Sequence, residues 1–182
     1  MELTELRFKS ENMLTFPDNA PKAQVFDLVR AEMDRLGLDI VKHDSERPWG
    51  GFFVLDEAQA PKFIETYFPH LSIEDFSGFA KLSPKILMVA PNKRLSWQYH
   101  FRRAEIWRLV GGVAGVVISD TDEETGLRTL APGEIIELRQ GERHRLVGLD
   151  GWGMIAEIWQ HVNPDFPSDE SDIVRLQDDF GR

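Results

Sequence analysis

The chain has 182 residues, 42% of them hydrophobic, which suits one packed domain or one domain with an extension. Its formal net charge of −10 disfavours nucleic acid and anionic membranes as partners, because neither attracts an acidic protein. No apolar run approaches the roughly 18 residues of a membrane span, and the N-terminal segment lacks the form of a signal peptide. The chain contains no cysteine and therefore no thiolate ligand or disulfide. These features predict a cytoplasmic location.

The N-terminal part of the chain predicts one amphipathic helix. An Asp-Asn pair suitable for an N-cap precedes Pro21, a residue that favours the first helical turn. Apolar residues then recur with a period of 3.6 from Val25 to Leu36, and Gly37 provides a C-terminal stop. We interpret residues 21–36 as a helix that covers a larger domain, with a partner-binding helix as the alternative.

The remaining chain predicts a short helical stretch followed by many strands. Residues 47–55 read as a turn and a strand, and residues 57–68 as a helical segment. From Lys85 onward, short apolar runs alternate with turn signals, a pattern typical of an all-β sandwich or barrel. The predicted strands are 85–90, 95–102, 106–110, 113–119, 134–138 and 154–159. The predicted turns are 91–92, 111–112, 122–126, 132–133 and 149–151.

Four polar residues of the strand region, Gln98, His100, Glu105 and His144, have the types and spacing of a metal site. Side chains alternate along a strand, so Ser96, Gln98 and His100 should project to one side of the strand that contains them. Glu105 follows shortly after, and His144 lies in a later segment. Imidazole, carboxylate and amide oxygen are all competent ligands for a divalent first-row metal, and the residue types alone leave zinc, manganese, iron and nickel open.

The same spacing resembles the two motifs of the cupin family. The first cupin motif is similar to Gln98-x-His100-x4-Glu105-x6-Gly112, with Gln in place of the first His. The second is similar to Gly133-x5-Arg139-x-Gly141-x2-His144-x3-Gly148, with Arg in place of Pro and Gly in place of Asn. The resemblance implies a mostly β fold, the double-stranded β-helix or jelly-roll barrel, to which the predicted N-terminal helix is added as an extension. The predicted domains are accordingly an extension of residues 1–46 and a cupin domain of residues 47–182.

A sharper resemblance is to the cupin domain of type II mannose-6-phosphate isomerases. Four segments resemble family segments: Arg-Pro-Trp-Gly-Gly-Phe-Phe-Val-Leu from residue 47, Leu-Ser-Trp-Gln-Tyr-His-Phe-Arg-Arg-Ala-Glu-Ile-Trp from residue 95, His-Arg-Leu from residue 144, and Asp-Ile-Val-Arg-Leu-Gln-Asp-Asp-Phe-Gly-Arg from residue 172. The chain departs from the family where two of three successive histidines are replaced by Phe101 and Arg102.

This resemblance implies a metal-dependent aldose–ketose isomerase that interconverts mannose-6-phosphate and fructose-6-phosphate through an enediol. The metal, zinc by resemblance to the type I enzymes, would be held by Gln98, His100, Glu105 and His144. The family also implies a homodimer that takes a small sugar phosphate.

The resemblance suggests roles for four further residues outside the metal set. Lys85 and Arg175 are the catalytic candidates, since each resembles a cationic residue of the isomerases. Ser96 and Arg182 are the candidates for substrate contact, because Ser96 shares the face of Gln98 and Arg182 could fold back over the barrel mouth. Surface or structural roles remain open for all four.

Two other functions remain open from the sequence. The loss of family histidines is compatible with a non-catalytic sugar-binding cupin whose added helix is a partner surface. The ligand set is also compatible with a metal-dependent cupin of another class, such as a dioxygenase or an epimerase.

Overall fold

The computed structural model describes residues 13–79 and 81–182, and these residues form nine β-strands and two α-helices. The helices are α1, Lys22–Leu36, and α2, Ala60–Tyr67, with short 3₁₀ helices at Glu57–Gln59 and Ile73–Phe76. The strands are β1 Ile40–Asp44, β2 Gly50–Leu55, β3 Lys85–Val89, β4 Trp97–Tyr99, β5 Arg103–Ser119, β6 Arg128–Thr129, β7 Ile135–Leu138, β8 Arg143–His161 and β9 Val174–Gln177. The part of the predicted extension at residues 1–12 lies outside the described residues.

Strands β5 and β8 form a long antiparallel ribbon on which the other strands are arranged. The two strands pair along almost their whole length, from Arg103 opposite His161 to Ser119 opposite Arg143. The predicted turns at 111–112 and 149–151 are wrong as chain reversals, because both strands continue through these positions. The glycines there make β-bulges instead: the register shifts around Gly111 and Gly112, and residues 149–152 lie opposite Val113 alone. A bulge bends and twists a strand without ending it.

Gly112 shows why this bend requires glycine. Its φ is +58°, in the left-handed region that side chains rarely adopt. A Cβ at this position would lie 1.8 Å from the carbonyl oxygen of Trp152 on the paired strand. The bend divides the ribbon into two halves, and each half has its own neighbours.

The two halves of the ribbon belong to two antiparallel groups of strands. The half with the N-terminal part of β5 and the C-terminal part of β8 pairs with β7 on one side and continues through β3, β2 and β1 on the other. The other half pairs with β6 on one side and with β4 on the other, and β4 in turn pairs with β9. Side chains from both groups share one core cluster, including Leu87, Trp107, Val116 and Leu146. The predicted mostly β architecture is confirmed.

A second core cluster lies on the outer face of the first strand group, beneath the helices. Alternation along β3 sends Ile86 and Met88 to this cluster and Leu87 and Val89 to the barrel interior. Arg108 on β5 is buried here and donates to the carbonyl oxygen of Tyr67 at the end of α2. The helices therefore exclude water from that face.

Helix α1 confirms the predicted helix within one residue. It follows Pro21 and ends at Gly37, whose φ of 66° is typical of a C-terminal glycine. Its buried residues Val25, Phe26, Val29 and Met33 belong to the outer core cluster. The sequence analysis missed strand β1. This strand lies before the predicted domain boundary at residue 46, yet it pairs with β2, which lies after that boundary.

We expect Met33→Ala to destabilise the whole domain, because Met33 is fully buried between α1 and the sheet. Truncating a buried Met costs about 2–5 kcal/mol. Asp34→Ala, at an exposed position on the same helix, is the matched control and should change stability by less than about 0.5 kcal/mol. Chemical denaturation of both variants measures the difference. A loss confined to helix α1, with an unchanged β-sheet transition, would contradict a single cooperative core.

Candidate metal centre and cavity

His100, Glu105 and His144 form a buried cluster of metal-ligating side chains. One ligand atom from each lies within 4.8 Å of the others. The residues come from both strand groups: His100 follows β4, His144 begins β8, and Glu105 lies on β5 in the other group. The fold therefore assembles the cluster across the barrel interior, with His144 coming from a segment distant in sequence from His100 and Glu105.

The distances within the cluster direct both histidines towards the same carboxylate. His100 Nε2 lies 3.2 Å from one Glu105 oxygen and His144 Nε2 lies 3.5 Å from the other. The two imidazole rings are tilted with their centroids 5.1 Å apart. Trp107 Nε1 donates to Glu105 at 3.0 Å and fixes the carboxylate from the side. Three potential ligands thus converge on one small volume.

The far nitrogen of each imidazole sets the tautomer that metal binding needs. His100 Nδ1 lies 2.6 Å from the carbonyl oxygen of Asp172, and His144 Nδ1 lies 2.9 Å from that of Glu142. A carbonyl oxygen only accepts, so Nδ1 carries the proton and Nε2 keeps its lone pair. Burial lowers the pKa of His100 to about 4 and also lowers that of His144, so both rings are neutral at neutral pH.

The donor set fits a divalent metal. It offers two neutral imidazole nitrogens and one carboxylate, the types that zinc and similar ions take. His144 Nε2 is buried and has no hydrogen-bond partner among the described residues. An unsatisfied buried acceptor aimed at a carboxylate and a second histidine is what a metal would satisfy.

Gln98, the fourth predicted ligand, lies beside the cluster. It pairs with His144 across β4 and β8, and its side-chain nitrogen lies 3.5 Å from His100 Nε2. Ser96 donates to the Gln98 side-chain oxygen at 2.5 Å, which orients the amide. The predicted alternation of Ser96, Gln98 and His100 onto one face is therefore confirmed, and Ser96 contacts Gln98 as well as lining the cavity.

Arg103 is a residue at this site that the sequence analysis missed. Its guanidinium donates to Glu105 at 2.7 Å and to His100 Nε2 at 3.2 Å, and stacks on the Trp159 ring. Burial alone would raise the pKa of Glu105, but Arg103 and the two histidines hold it well below its usual range. The available signal was strand alternation, since Arg103 and Glu105 are two residues apart on β5 and share one face.

A cavity extends from the cluster towards solvent and contains a buried Lys–Glu pair. Lys85 on β3 lies directly opposite Glu157 on β8, and both line the cavity. The Lys85 ammonium lies over the Trp159 ring and donates to Glu170 at 2.7 Å. Burial, followed by the nearby Glu105 charge, raises the pKa of Glu157 to about 8. Glu157 is a second residue that the sequence analysis missed.

The outer part of the cavity is lined by three further arginines. Arg175 on β9 is exposed and lies opposite Gln98 in the β4–β9 register. Arg182 folds back to the cavity and makes a two-pronged ion pair with Asp178. Arg47 pairs with Asp44 and lies over the Phe52 ring. The structure thus brings the predicted Lys85, Ser96, Arg175 and Arg182 to one cavity beside the metal-type cluster.

Comparison with known proteins places the chain in a family. The family described as mannose-6-phosphate isomerase C-terminal matches residues 62–178. The chain belongs to this family. A mannose-1-phosphate guanylyltransferase of Salmonella montevideo is 29% identical over 143 residues, which cover 79% of this chain and 24% of that protein. Another, from Escherichia coli K12, is 31% identical over 118 residues, 65% of this chain and 23% of that protein. The chain spans about a quarter of these curated relatives.

The solved structures agree with the fold. Oxalate decarboxylase from Bacillus subtilis superposes with a TM-score of 0.52 at 14% identity, covering 76% of this chain and 30% of that one. At this identity the likeness concerns the fold alone. The predicted cupin domain that resembles the mannose-6-phosphate isomerase C-terminal region is confirmed. Among the described residues, no helix is long and apolar enough to cross a membrane.

We expect the buried Glu157 to make stability depend on pH. Between its ordinary pKa of 4.5 and about 8, the native chain holds a proton that the unfolded chain has lost, so stability falls as pH rises through this interval. Glu157→Gln has no carboxyl to ionise at this position, so its stability should not show this fall with pH. In chelator-treated protein, the melting temperature of Glu157→Gln relative to that of wild type should therefore rise by a few degrees from pH 5 to pH 8.5.

The exposed Glu137→Gln is the control for this measurement, and its difference from wild type should stay flat with pH. A Glu157→Gln difference that stayed constant or shrank as pH rose would show that Glu157 is ionised in the native chain throughout.

Proposed function

We propose that this chain is a metal-dependent sugar-phosphate isomerase that interconverts mannose-6-phosphate and fructose-6-phosphate. The observation that carries the proposal is the cavity itself, where a buried His-Glu-His cluster lies at one end and cationic side chains surround the outer part. A hexose 6-phosphate has the matching polarity, with its reacting carbonyl at one end and a dianionic phosphate at the other. Membership of the mannose-6-phosphate isomerase C-terminal family supports this substrate class.

The inner end of the cavity would hold the reacting C1–C2 region of the open-chain sugar. His100, Glu105, His144 and Gln98 would hold a divalent ion, with zinc as the proposed metal; when bound, such an ion supplies electrophilic stabilisation of the oxygens of an enediol. The Trp107, Trp159 and Leu87 side chains enclose this end and exclude water. Gln98 would ligate through its side-chain oxygen, which here accepts from Ser96 while the amide nitrogen faces His100, so metal binding would require this amide to turn.

The outer end of the cavity suits a phosphate. Arg175 presents a planar guanidinium fork that matches phosphate oxygens, Arg182 would do the same on leaving its ion pair with Asp178, and Lys85 adds a compact positive charge between the two ends. Arg175 is exposed and forms no ion pair that competes for it among the described salt bridges. A phosphate bound here would fix the distance between the anionic end of the sugar and its carbonyl.

Isomerisation also requires a group that takes a proton from one carbon and returns it to the next. Glu157 and Lys85 are the cavity-lining acid and base that lie opposite each other on adjacent strands. The pKa of Glu157, raised to about 8, is close to neutral pH, so this carboxyl can both accept and return a proton under these conditions. We propose Glu157 as the proton carrier and Lys85 as the cation that stabilises its ionised form and the negative charge of the enediolate.

The first experiment is elemental analysis of the purified chain, coupled to an isomerase assay with mannose-6-phosphate. About one divalent ion per chain and chelator-sensitive formation of fructose-6-phosphate are expected. His144→Ala should lose the ion and the activity, because it removes one of the two imidazole ligands, whereas His43→Ala, at an exposed position outside the cavity lining, should lose neither.

Each other result has a defined meaning for the proposal. A bound ion without turnover would overturn isomerisation and favour sugar binding or another reaction class. No ion under metal-replete conditions would overturn the metal centre. A homodimer and a cytoplasmic location stay predictions.

We expect Lys85→Met and Arg175→Met each to lower kcat/KM about 10- to 100-fold, because a hydrogen bond to a charged group contributes about 1.5–3 kcal/mol. If Arg175 grips the phosphate, its effect should lie mainly in KM, whereas Lys85→Met should also lower kcat. Lys93→Met, an exposed lysine outside the cavity, is the matched control. Steady-state kinetics at saturating metal separates the two parameters. Unchanged kinetics in Arg175→Met would remove this residue from the substrate site.

A further inference from the structure

Arg103 occupies the atoms that the ligand cluster would present to a metal. Its Nη2 donates to the His100 Nε2 lone pair, and its Nε donates to one Glu105 oxygen. These are the same nitrogen and carboxylate that converge on His144 Nε2. The guanidinium is buried, so water does not screen these contacts. Arg103 thus makes the contacts that a cation would make at this site.

Arg103 and a metal cannot share His100. The imidazole nitrogen has one lone pair, which serves either an N–H donor or a metal. Glu105 differs, because its second oxygen faces His144 and Trp107 while Arg103 holds the first. Metal binding therefore requires Arg103 to leave His100, although it can remain near Glu105. The positive charges of the guanidinium and the ion also repel each other.

The rest of the Arg103 environment allows such a displacement. Nη1 donates to Ser168 Oγ at 2.9 Å and to the Asp169 carbonyl oxygen at 3.1 Å, and the guanidinium carbon lies 3.6 Å from the Trp159 ring centroid. None of these anchors belongs to the ligand cluster. The carboxyl groups of Glu157 and Glu170 lie in the same cavity and interact electrostatically with the Arg103 guanidinium. A guanidinium that leaves His100 keeps partners on its other side.

We propose that Arg103 is a built-in counter-cation that neutralises the buried Glu105 in the metal-free chain and competes with the metal for His100, so that it lowers metal affinity. This inference rests on the metal centre of the proposed function but not on the reaction. Arg103 is a positioning residue here. Its physical consequence is a metal-free form that stays folded at the cost of weaker metal binding, because the buried carboxylate is neutralised before any ion arrives.

The test measures Zn²⁺ affinity and stability rather than turnover. Metal-free wild type, Arg103→Met and Arg103→Lys are titrated with Zn²⁺ against a chromophoric chelator, and the melting temperature of each is recorded with and without the ion. Arg103→Met should bind Zn²⁺ at least about 10-fold more tightly, or ~1.4 kcal/mol. Its metal-free form should melt lower than wild type, so its rise on loading should be larger.

Arg102→Met, as an added control, and Arg103→Lys keep the test decisive. Arg102→Met removes a neighbouring cation whose side chain contacts Pro167, Phe166 and the carboxylates of Asp169 and Asp172 but no member of the ligand cluster, and its Zn²⁺ affinity should equal that of wild type. Arg103→Lys keeps the charge but loses the fork that reaches both His100 and Glu105, so its affinity should lie between the other two. If metal-free Arg103→Met fails to fold, an Arg103→Lys affinity no tighter than wild type overturns the proposal.

The remaining outcomes separate this inference from the proposed function. A folded Arg103→Met that binds Zn²⁺ as weakly as wild type, or more weakly, overturns the proposal, because Arg103 would then hold Glu105 in place for the ion. Binding by Arg103→Met but not by wild type supports the proposal while the metal-dependent reaction fails. Wild type that binds Zn²⁺ less tightly than Arg103→Met without isomerising the sugar supports the proposal and removes the isomerase. No binding by either chain overturns both.

Discussion

The burial of one carboxylate, that of Glu105, is the constraint on which the rest of the site depends. An ionised carboxylate taken from water is costly unless it is paired and hydrogen-bonded. In this chain Arg103, Trp107 and the two histidines surround it, and they come from β5, β8 and the end of β4. The bent β5–β8 ribbon is what brings these segments together. The strand arrangement that forms the fold therefore also supplies the groups that stabilise the buried Glu105 carboxylate.

The charge of Glu105 also determines the state of its neighbours. It is the second cause, after burial, that raises the pKa of Glu157. Two carboxyls in one cavity resist simultaneous ionisation, so their pKa values move apart. One carboxylate remains a fixed charge suited to holding a cation, and the other carries a proton near neutrality. A site with one fixed and one exchangeable acid suits chemistry that both polarises a carbonyl and moves a proton.

The sequence predicted the parts of this protein that depend on local spacing. The α1 helix follows from its 3.6-residue period and its glycine stop, and the common face of Ser96, Gln98 and His100 follows from strand alternation. The continuity of β5 and β8 could not be predicted, because glycine pairs mark a turn and a bulge equally well, and only long-range pairing decides between them. Arg103 and Glu157 were missed for a related reason. A charged residue in a strand normally indicates a solvent-exposed strand face, and whether the residue is buried depends on which elements pack against that face.

The two family histidines that this chain lacks do not belong to the cluster. Phe101 stands at one of these positions and is 59% exposed. Arg102 stands at the other, where it reaches the Pro167 carbonyl oxygen and lies over the Phe166 ring. What this stretch contributes to the site is its backbone: the N–H groups of both residues donate to Asp172, whose own carbonyl accepts from His100. Any side chain at these two positions supplies the same backbone groups, so the substitutions leave the ligand set and its orientation intact.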